Sequence, residues 1–166
     1  IYKYILIKII KMQVQKRNGT LEEVSFDKVI KRLKKLCNIN PICTKIDPIQ
    51  IAQKVCSQIY NKVKTYELDE LAAQICIAMS TIHPEYAILA SRIIISNNHK
   101  NTSPSFSETI GMLYNNNDNE GNHNPIVSRQ LYTISIANRM KLNSVIDYSR
   151  DYTFNYFSFK TLEKAY

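Results

Sequence analysis

Three cations and the start of a helix lie close together in the stretch QKRNGTLEEVSFDK, residues 15–28. Lys16 and Arg17 precede a turn, and Lys28 falls in the first turn of a helix that Ser25 is expected to cap. A helix N-terminus offers backbone N–H groups and the positive end of a dipole to an anion. This arrangement suits a compact triphosphate, whereas duplex DNA needs cations spread along a face.

Each charged residue also has a simpler structural explanation. A surface pair of cations often only marks a solvated strand edge, and Glu22 and Glu23 can balance those cations. Asp69 near the start of the third helix and Lys100 at the end of the fourth both suit the helix dipole. The two glutamates could instead accept hydrogen bonds from a sugar hydroxyl or a base amino group, and the residues alone leave both interpretations open.

The sequence carries no recognisable catalytic or metal-binding motif. It has neither a GxxxxGK[ST] nor a GxGxxG loop, and its three glycines cannot build a backbone cradle of the P-loop kind. The cysteines at positions 37, 43, 56 and 76 form no CxxC pair and have no matching histidine spacing. We therefore expect no metal site, and buried, reduced thiols in a cytoplasmic protein.

The charge balance favours polyanionic partners without choosing among them. The chain has 22 Lys and Arg against 14 Asp and Glu, a net charge of +8. Such a charge attracts nucleotides, nucleic acids and acidic membranes alike. Residues 1–11 are apolar but interrupted by Lys3 and Lys8, and they are about half the ~20 residues of a membrane span. We expect them to be an extension outside the fold, with Met12 as a natural start.

A hairpin and four helices are expected to position the charged residues. Asn18-Gly19 predicts a two-residue type I′ turn between two short strands. Asp47-Pro48 begins a second helix, Thr65 is expected to cap a third, and His83-Pro84 separates the third from a fourth. The first helix shows apolar residues at steps of three and four: Phe26, Val29, Ile30, Leu33 and Cys37. We predict a mainly α fold, a four-helix bundle capped by a small β-sheet or hairpin and followed by additional helices.

The second part of the chain differs from the first in its composition and pattern of residues. FSETIGMLY predicts a short helix, residues 115–125 form a polar loop, and a further helical run extends from Ile126 to about Leu142. The last twenty residues are rich in Tyr and Phe. We expect the chain to be cut within this aromatic segment, whose packing partner would lie beyond its end.

Several motifs resemble a known enzyme family. In order along the chain they are MQVQKRNGTLEEVSFDKVIKRLKKLC, DPIQIAQKV, TYELDELAAQI, HPEYAILASRIIISNNHK and RDYTFNYFSFKTLEKAY. Together they resemble the N-terminal part of the large subunit of class I ribonucleotide reductase. Residues 12–103 resemble its ATP-cone domain, and residues 104–166 resemble the helical segment that leads into the catalytic barrel. The cone alone is less specific, because cones also occur in other reductase classes and in a bacterial transcriptional repressor.

The resemblance implies an allosteric site that binds ATP as activator or dATP as inhibitor, together with Mg²⁺. Carried over residue by residue, the implied site comprises Lys16, Arg17, Glu22, Glu23, Val24, Ser25, Phe26, Asp27, Lys28, Thr65, Asp69 and Lys100. The implied partners are the remainder of the large subunit with its barrel, other large subunits and the small radical-generating subunit. Neither a membrane nor a nucleic acid is implied.

The resemblance has limits that bear on activity. The family's catalytic and redox cysteines lie beyond residue 166, so we expect this segment alone to be inactive. Asn98 stands where the family usually has an apolar residue, and Ser158 replaces a glycine. Two alternatives remain open: a basic helical module that binds nucleic acid, and a degenerate piece that binds nothing. Competition between ATP and DNA would separate the first alternative from a nucleotide site.

Overall fold

A small three-stranded sheet begins the described structure, a computed structural model that covers residues 12–165. The expected extension, residues 1–11, lies outside the described part. Strand β1 (Gln13–Gln15) pairs antiparallel with β2 (Leu21–Glu23) and parallel with β3 (Val63–Lys64), in the order β2-β1-β3. The hairpin prediction is confirmed, and β3 is a strand that the sequence pattern did not predict.

The predicted type I′ turn is wrong. Gly19 has a φ of +83°, but the only described non-glycine residue with a positive φ is Lys62, so Asn18 does not meet the requirement of that turn. The backbone N–H of Lys16 donates to Thr20 O at 2.8 Å, which leaves a three-residue loop with glycine in the left-handed region. The Asn18 side chain accepts from Thr20 N at 3.2 Å and supports this alternative.

Four helices follow the predicted starts. They are α1 (Phe26–Cys37), α2 (Pro48–Gln58), α3 (Thr65–Ala78) and α4 (Glu85–Asn101), with a 3-10 turn at Met79–Thr81 after α3. Ser25 Oγ accepts from Lys28 N at 3.4 Å, as predicted for a cap. The prediction that Thr65 caps α3 is wrong, because Thr65 is already helical and Lys64 is the N-cap. Glu67 accepts from Lys64 N at 3.3 Å and satisfies that backbone group.

The core lies among the four helices and the sheet. Ile51, Val55, Leu89 and Ile93 are fully buried, as the helical periodicity predicts. Arg92 was not predicted to be inside, yet it is only 1% exposed. Its guanidinium donates to the carbonyls of Leu36 at 3.1 Å and Pro41 at 2.7 Å, which satisfies one backbone group at the end of α1 and one in the segment that follows.

The chain divides into two compact units. The first contains the described residues up to Asn97 and those from Tyr152 onward, and the second contains Asn98 to Asp151. The first unit includes α8 (Tyr156–Ala165), where Tyr156 and Phe159 pack against the core and Lys160 Nζ lies 2.7 Å from Glu70 Oε1. The predicted domain boundary after residue 103 stays a prediction.

The second unit contains three short helices: α5 (Phe106–Tyr114), α6 (Arg129–Ala137) and α7 (Arg139–Val145). The run predicted from Ile126 to Leu142 is therefore two helices that meet at Asn138. Tyr114 and Tyr132 stack with ring centroids 4.3 Å apart and join α5 to α6. A six-residue 3-10 segment, Tyr148–Thr153, precedes α8. The mainly α fold class, with a small sheet and additional helices, is confirmed.

None of the helices in the described part of the chain is both long and apolar enough to cross a membrane.

Candidate functional site

An open cleft of about 510 Å³ lies beside the hairpin. It is lined by Lys16, Arg17, Asn18, Thr20, Glu22 and Thr65. The sheet explains this arrangement, since β3 pairs Lys64 with Gln15 in parallel and so brings Thr65 beside Lys16. Its volume is within the range of pockets that hold small molecules and cofactors.

Glu22 is shared by two lysines at the cleft. Lys16 Nζ lies 2.7 Å from Glu22 Oε2, and Lys28 Nζ contacts Glu22 Oε1. The three side chains are 39%, 65% and 33% exposed for Lys16, Lys28 and Glu22 respectively. Ion pairs this exposed contribute little to stability, so either lysine can exchange the carboxylate for another anion at small cost.

A second group of charges lies around Asp69, which is 6% exposed. Arg32 makes a two-pronged contact with it, Nε to Oδ1 and Nη2 to Oδ2, both at 3.2 Å. Arg17 Nη2 lies 3.8 Å from Asp69 Oδ2, and Arg17 also donates to Asn97 Oδ1. Arg17 therefore connects the cleft to this buried carboxylate and to α4.

These contacts join five of the predicted side chains in two groups, and Thr65 lines the same cleft as Lys16, Arg17 and Glu22. The five are Lys16, Arg17, Glu22, Lys28 and Asp69. Lys28 and Asp69 contact residues of that lining without forming part of it. Ser25 caps α1, and Lys28 lies in the first turn of that helix.

Other predicted residues present no side chain to the cleft lining. Val24 and Phe26 are core residues, each 8% exposed. Glu23 follows Glu22 in β2, so its side chain points to the opposite face of the strand, and it is exposed. Asp27 is exposed in the first turn of α1. Lys100 is exposed in the last turn of α4, within the second unit.

Sequence reasoning missed Arg32, Asn97, Asn18 and Thr20. Arg32 lies four residues after Lys28 in α1 and so on the same side of the helix. That spacing was the available signal. Asn97 is a buried polar residue shortly after the apolar run Ile93 to Ile95 in α4, and such a residue needs a hydrogen-bonding partner.

Neither metal ligands nor reactive thiols add chemistry to the described part of the chain. There, no three His, Cys, Asp or Glu side chains are grouped so that they could hold a metal ion. All four cysteines are free and buried, and burial raises the pKa of the Cys56 thiol to about 11. A thiol held in its protonated form is a poor nucleophile.

Comparison with known proteins identifies the family of the domain that contains the cleft. Residues 12–101 match the model of the ATP cone domain family. The chain is also similar to proteins named ribonucleoside-diphosphate reductase large subunit. It is 49% identical to that of Dictyostelium discoideum over 94% of this chain and 18% of the relative. It is 54% identical to that of Monkeypox virus over 93% and 20%, and 48% identical to that of Arabidopsis thaliana over 93% and 19%.

These relatives are large subunits of an oxidoreductase, and this chain spans about a fifth of their length. The family match covers more than half of the chain and includes the hairpin, the cleft and all four helices of the bundle. This chain belongs to the ATP-cone domain family.

Proposed function

We propose that the cleft beside the hairpin binds ATP or dATP and that the bound nucleotide regulates the reduction of ribonucleoside diphosphates by a larger enzyme. The observation that carries the proposal is the convergence of Lys16, Arg17 and Lys28 around a cleft in a domain that matches the ATP cone. The named activity of the relatives supplies the reaction to be regulated.

The phosphate groups are held by the cations of the hairpin and of α1. Lys16 and Lys28 exchange Glu22 for phosphate oxygens, and charge-assisted hydrogen bonds to phosphate are among the stronger polar contacts. Arg17 adds a third cation from the cleft lining, whereas the role of Lys100 stays a prediction that rests on the resemblance. The Thr65 hydroxyl, which lines the cleft, is a further polar contact.

Mg²⁺ accompanies the nucleotide in this proposal and is held mainly by its phosphates. The described residues offer no group of three metal-ligating side chains. That suits Mg²⁺, which usually keeps several waters and binds through phosphates with few protein ligands.

Discrimination between activator and inhibitor rests on the sugar, because ATP and dATP differ by one 2′-hydroxyl. One hydrogen bond contributes only about 0.5–1.5 kcal/mol net. Each nucleotide must therefore favour a different conformation or assembly, since a ligand shifts an equilibrium only by its differential affinity. Glu22 and Asp69 are the acids available to the sugar or the base.

The partners in this proposal are the remainder of the large subunit, other large subunits and the small radical-generating subunit. Cysteines outside this chain would perform the reduction, because the four cysteines here are buried. Free thiols are also typical of the reducing cytoplasm, where we propose that the protein acts.

Titration calorimetry of the 166-residue chain with ATP and with dATP tests the proposal. We expect saturable binding of both, and no binding at millimolar nucleotide would refute the function. The double variant Lys16→Glu and Arg17→Glu should abolish binding while circular dichroism stays unchanged. The matched control, Lys34→Glu and Lys35→Glu, makes the same charge change on an exposed part of α1 and should retain binding.

The same variants test the nucleic-acid alternative, which is favoured by the exposed lysines Lys31, Lys34 and Lys35 on α1. A module of that kind would lose DNA binding in the control variant, and its affinity would fall steeply with salt. Under the nucleotide proposal, ATP binds to the control variant and duplex DNA does not displace it.

A further inference from the structure

Arg32 makes a two-pronged contact with a buried carboxylate near the cleft. Its Nε and Nη2 atoms lie 3.2 Å from the two oxygens of Asp69, and its Nη1 donates to Ser96 Oγ at 3.1 Å. One guanidinium thus joins α1, α3 and α4. A two-pronged contact fixes the plane of a carboxylate as well as its position.

The setting of this pair differs from that of the exposed lysines around Glu22. The Arg32 side chain is 23% exposed and that of Asp69 is 8% exposed, whereas Lys28 is 65% exposed. Guanidinium is planar and carries its donors in a rigid fork, so lysine cannot reproduce the contact. The orientation of Asp69 therefore depends on Arg32 in particular and not on positive charge in general.

Asp69 lies next to the cleft lining without forming part of it. It lies four residues after Thr65 on α3, which puts both on one side of the helix, and Thr65 lines the cleft. Arg17, also in the lining, has Nη2 at 3.8 Å from Asp69 Oδ2, so the two side chains are neighbours. A carboxylate has about four acceptor positions, and the fork of Arg32 takes one position on each of the two oxygens.

We infer that Arg32 is a positioning residue that holds Asp69 in the orientation required to accept hydrogen bonds from the sugar hydroxyls of the bound nucleotide. This inference rests on the proposed function and deepens it. Phosphate affinity comes from Lys16, Arg17 and Lys28, whereas the affinity that depends on the sugar comes from the Arg32–Asp69 pair. Arg32 itself does not touch the nucleotide.

The test compares four probes on the full chain: ATP, dATP, 2′,3′-dideoxyATP and inorganic tripolyphosphate. In the wild-type protein, removing the sugar hydroxyls should weaken binding by roughly two- to tenfold per hydrogen bond lost. Arg32→Lys keeps the charge but removes the fork. It should weaken ATP binding by that factor, while dideoxyATP and tripolyphosphate should bind as before. The differences in affinity among the three nucleotides should therefore disappear.

Two further variants make the outcome decisive. Lys31→Gln removes an exposed cation from the same helix and should keep the wild-type ranking of the probes. Asp69→Asn should reproduce the effect of Arg32→Lys, and combining the two should add nothing, because both act on one contact. Asp69→Asn also serves if Arg32→Lys fails to fold.

Several results would overturn the inference. Arg32→Lys could weaken all four probes equally, which would make Arg32 a phosphate contact or a support of the fold. Arg32→Lys could keep the wild-type differences in affinity among the three nucleotides, or the wild-type protein could bind all three with the same affinity. Each of these results would contradict the role of Arg32 but not the proposal that a nucleotide binds in the cleft. Only a wild-type chain that binds neither ATP nor tripolyphosphate removes the proposed function together with the inference.

Discussion

Burial keeps the four cysteines in their thiol form. Burial raises the pKa of Cys37 to about 11, with a smaller contribution from the neighbouring Cys43, and raises the pKa of Cys76 to about 12. Cys56 is 1% exposed, and burial alone raises its pKa to about 11. These thiols therefore pack as small apolar side chains.

The Cys56 thiol makes stability depend on pH in the alkaline range. Its ordinary pKa of 9.0 is raised to about 11 in the folded chain, so above pH 9 the unfolded chain loses a proton that the folded chain keeps. This stabilising contribution is fully present below pH 9 and is lost as the pH rises towards 11. The slope for one thiol is at most about 1.4 kcal/mol per pH unit.

Urea unfolding between pH 8 and pH 11, with Cys56→Ala as the comparison, measures this effect. Tyrosines and lysines also titrate in this range, but they are common to both proteins, so the difference in slope isolates Cys56. We expect the variant to lose less stability per pH unit than the wild type. Equal slopes would mean that the Cys56 thiol is not shifted in the folded state.

Local sequence predicted which charged residues of the hairpin and α1 lie close together, but it did not predict the partners that lie far away in the sequence. Lys16, Glu22 and Lys28 are close in sequence, so a hairpin and one helix turn were enough to predict their proximity. Asp69 pairs with Arg32 across 37 residues, and Arg17 reaches Asn97 across 80. Contacts of that range depend on how the helices pack, which spacing along one helix does not reveal.

At the scale of elements, the hairpin loop depends on the conformation of Gly19. Its φ of +83° lies in the left-handed region, where a side chain costs about 1–2 kcal/mol. Gly111 lies inside α5, and an added Cβ there meets nothing within 4 Å. Glycine within a helix costs about 0.5–1 kcal/mol relative to alanine.

The same substitution should therefore have opposite effects at the two glycines. Gly19→Ala should destabilise the protein by ~1 kcal/mol, and Gly111→Ala should stabilise it by about 0.5–1 kcal/mol. Denaturant unfolding of both variants measures the two signs. A neutral Gly19→Ala would contradict the left-handed loop.

Helix starts were predictable wherever a side chain satisfies the first backbone N–H groups. Ser25 caps α1, Asp47 accepts from Ile49 N at 2.9 Å, and His83 Nδ1 accepts from Glu85 N at 3.3 Å. Thr65 has the right residue type for a cap but lies inside α3. The reason is β3, a two-residue strand held by its pairing with β1 some 49 residues earlier, which fixes Lys64 in an extended conformation.

At the scale of the whole molecule, the cations of the hairpin and α1 occupy two different settings. Lys16, Arg17, Lys28 and Arg32 make contacts with acids in and around the cleft. Exposed lysines on α1 face solvent and contribute to the net charge of +8. Composition alone could not separate these settings, which is why it left nucleotide and nucleic acid as equal candidates.

Binding of ATP in the hairpin cleft is tested most directly by an amide ¹H–¹⁵N titration of the 166-residue chain with ATP. We expect the largest shift changes at residues 16–28 and 65–69, with saturation at one nucleotide per chain. Shift changes confined to the exposed lysine face of α1, or no change at millimolar ATP, would contradict it.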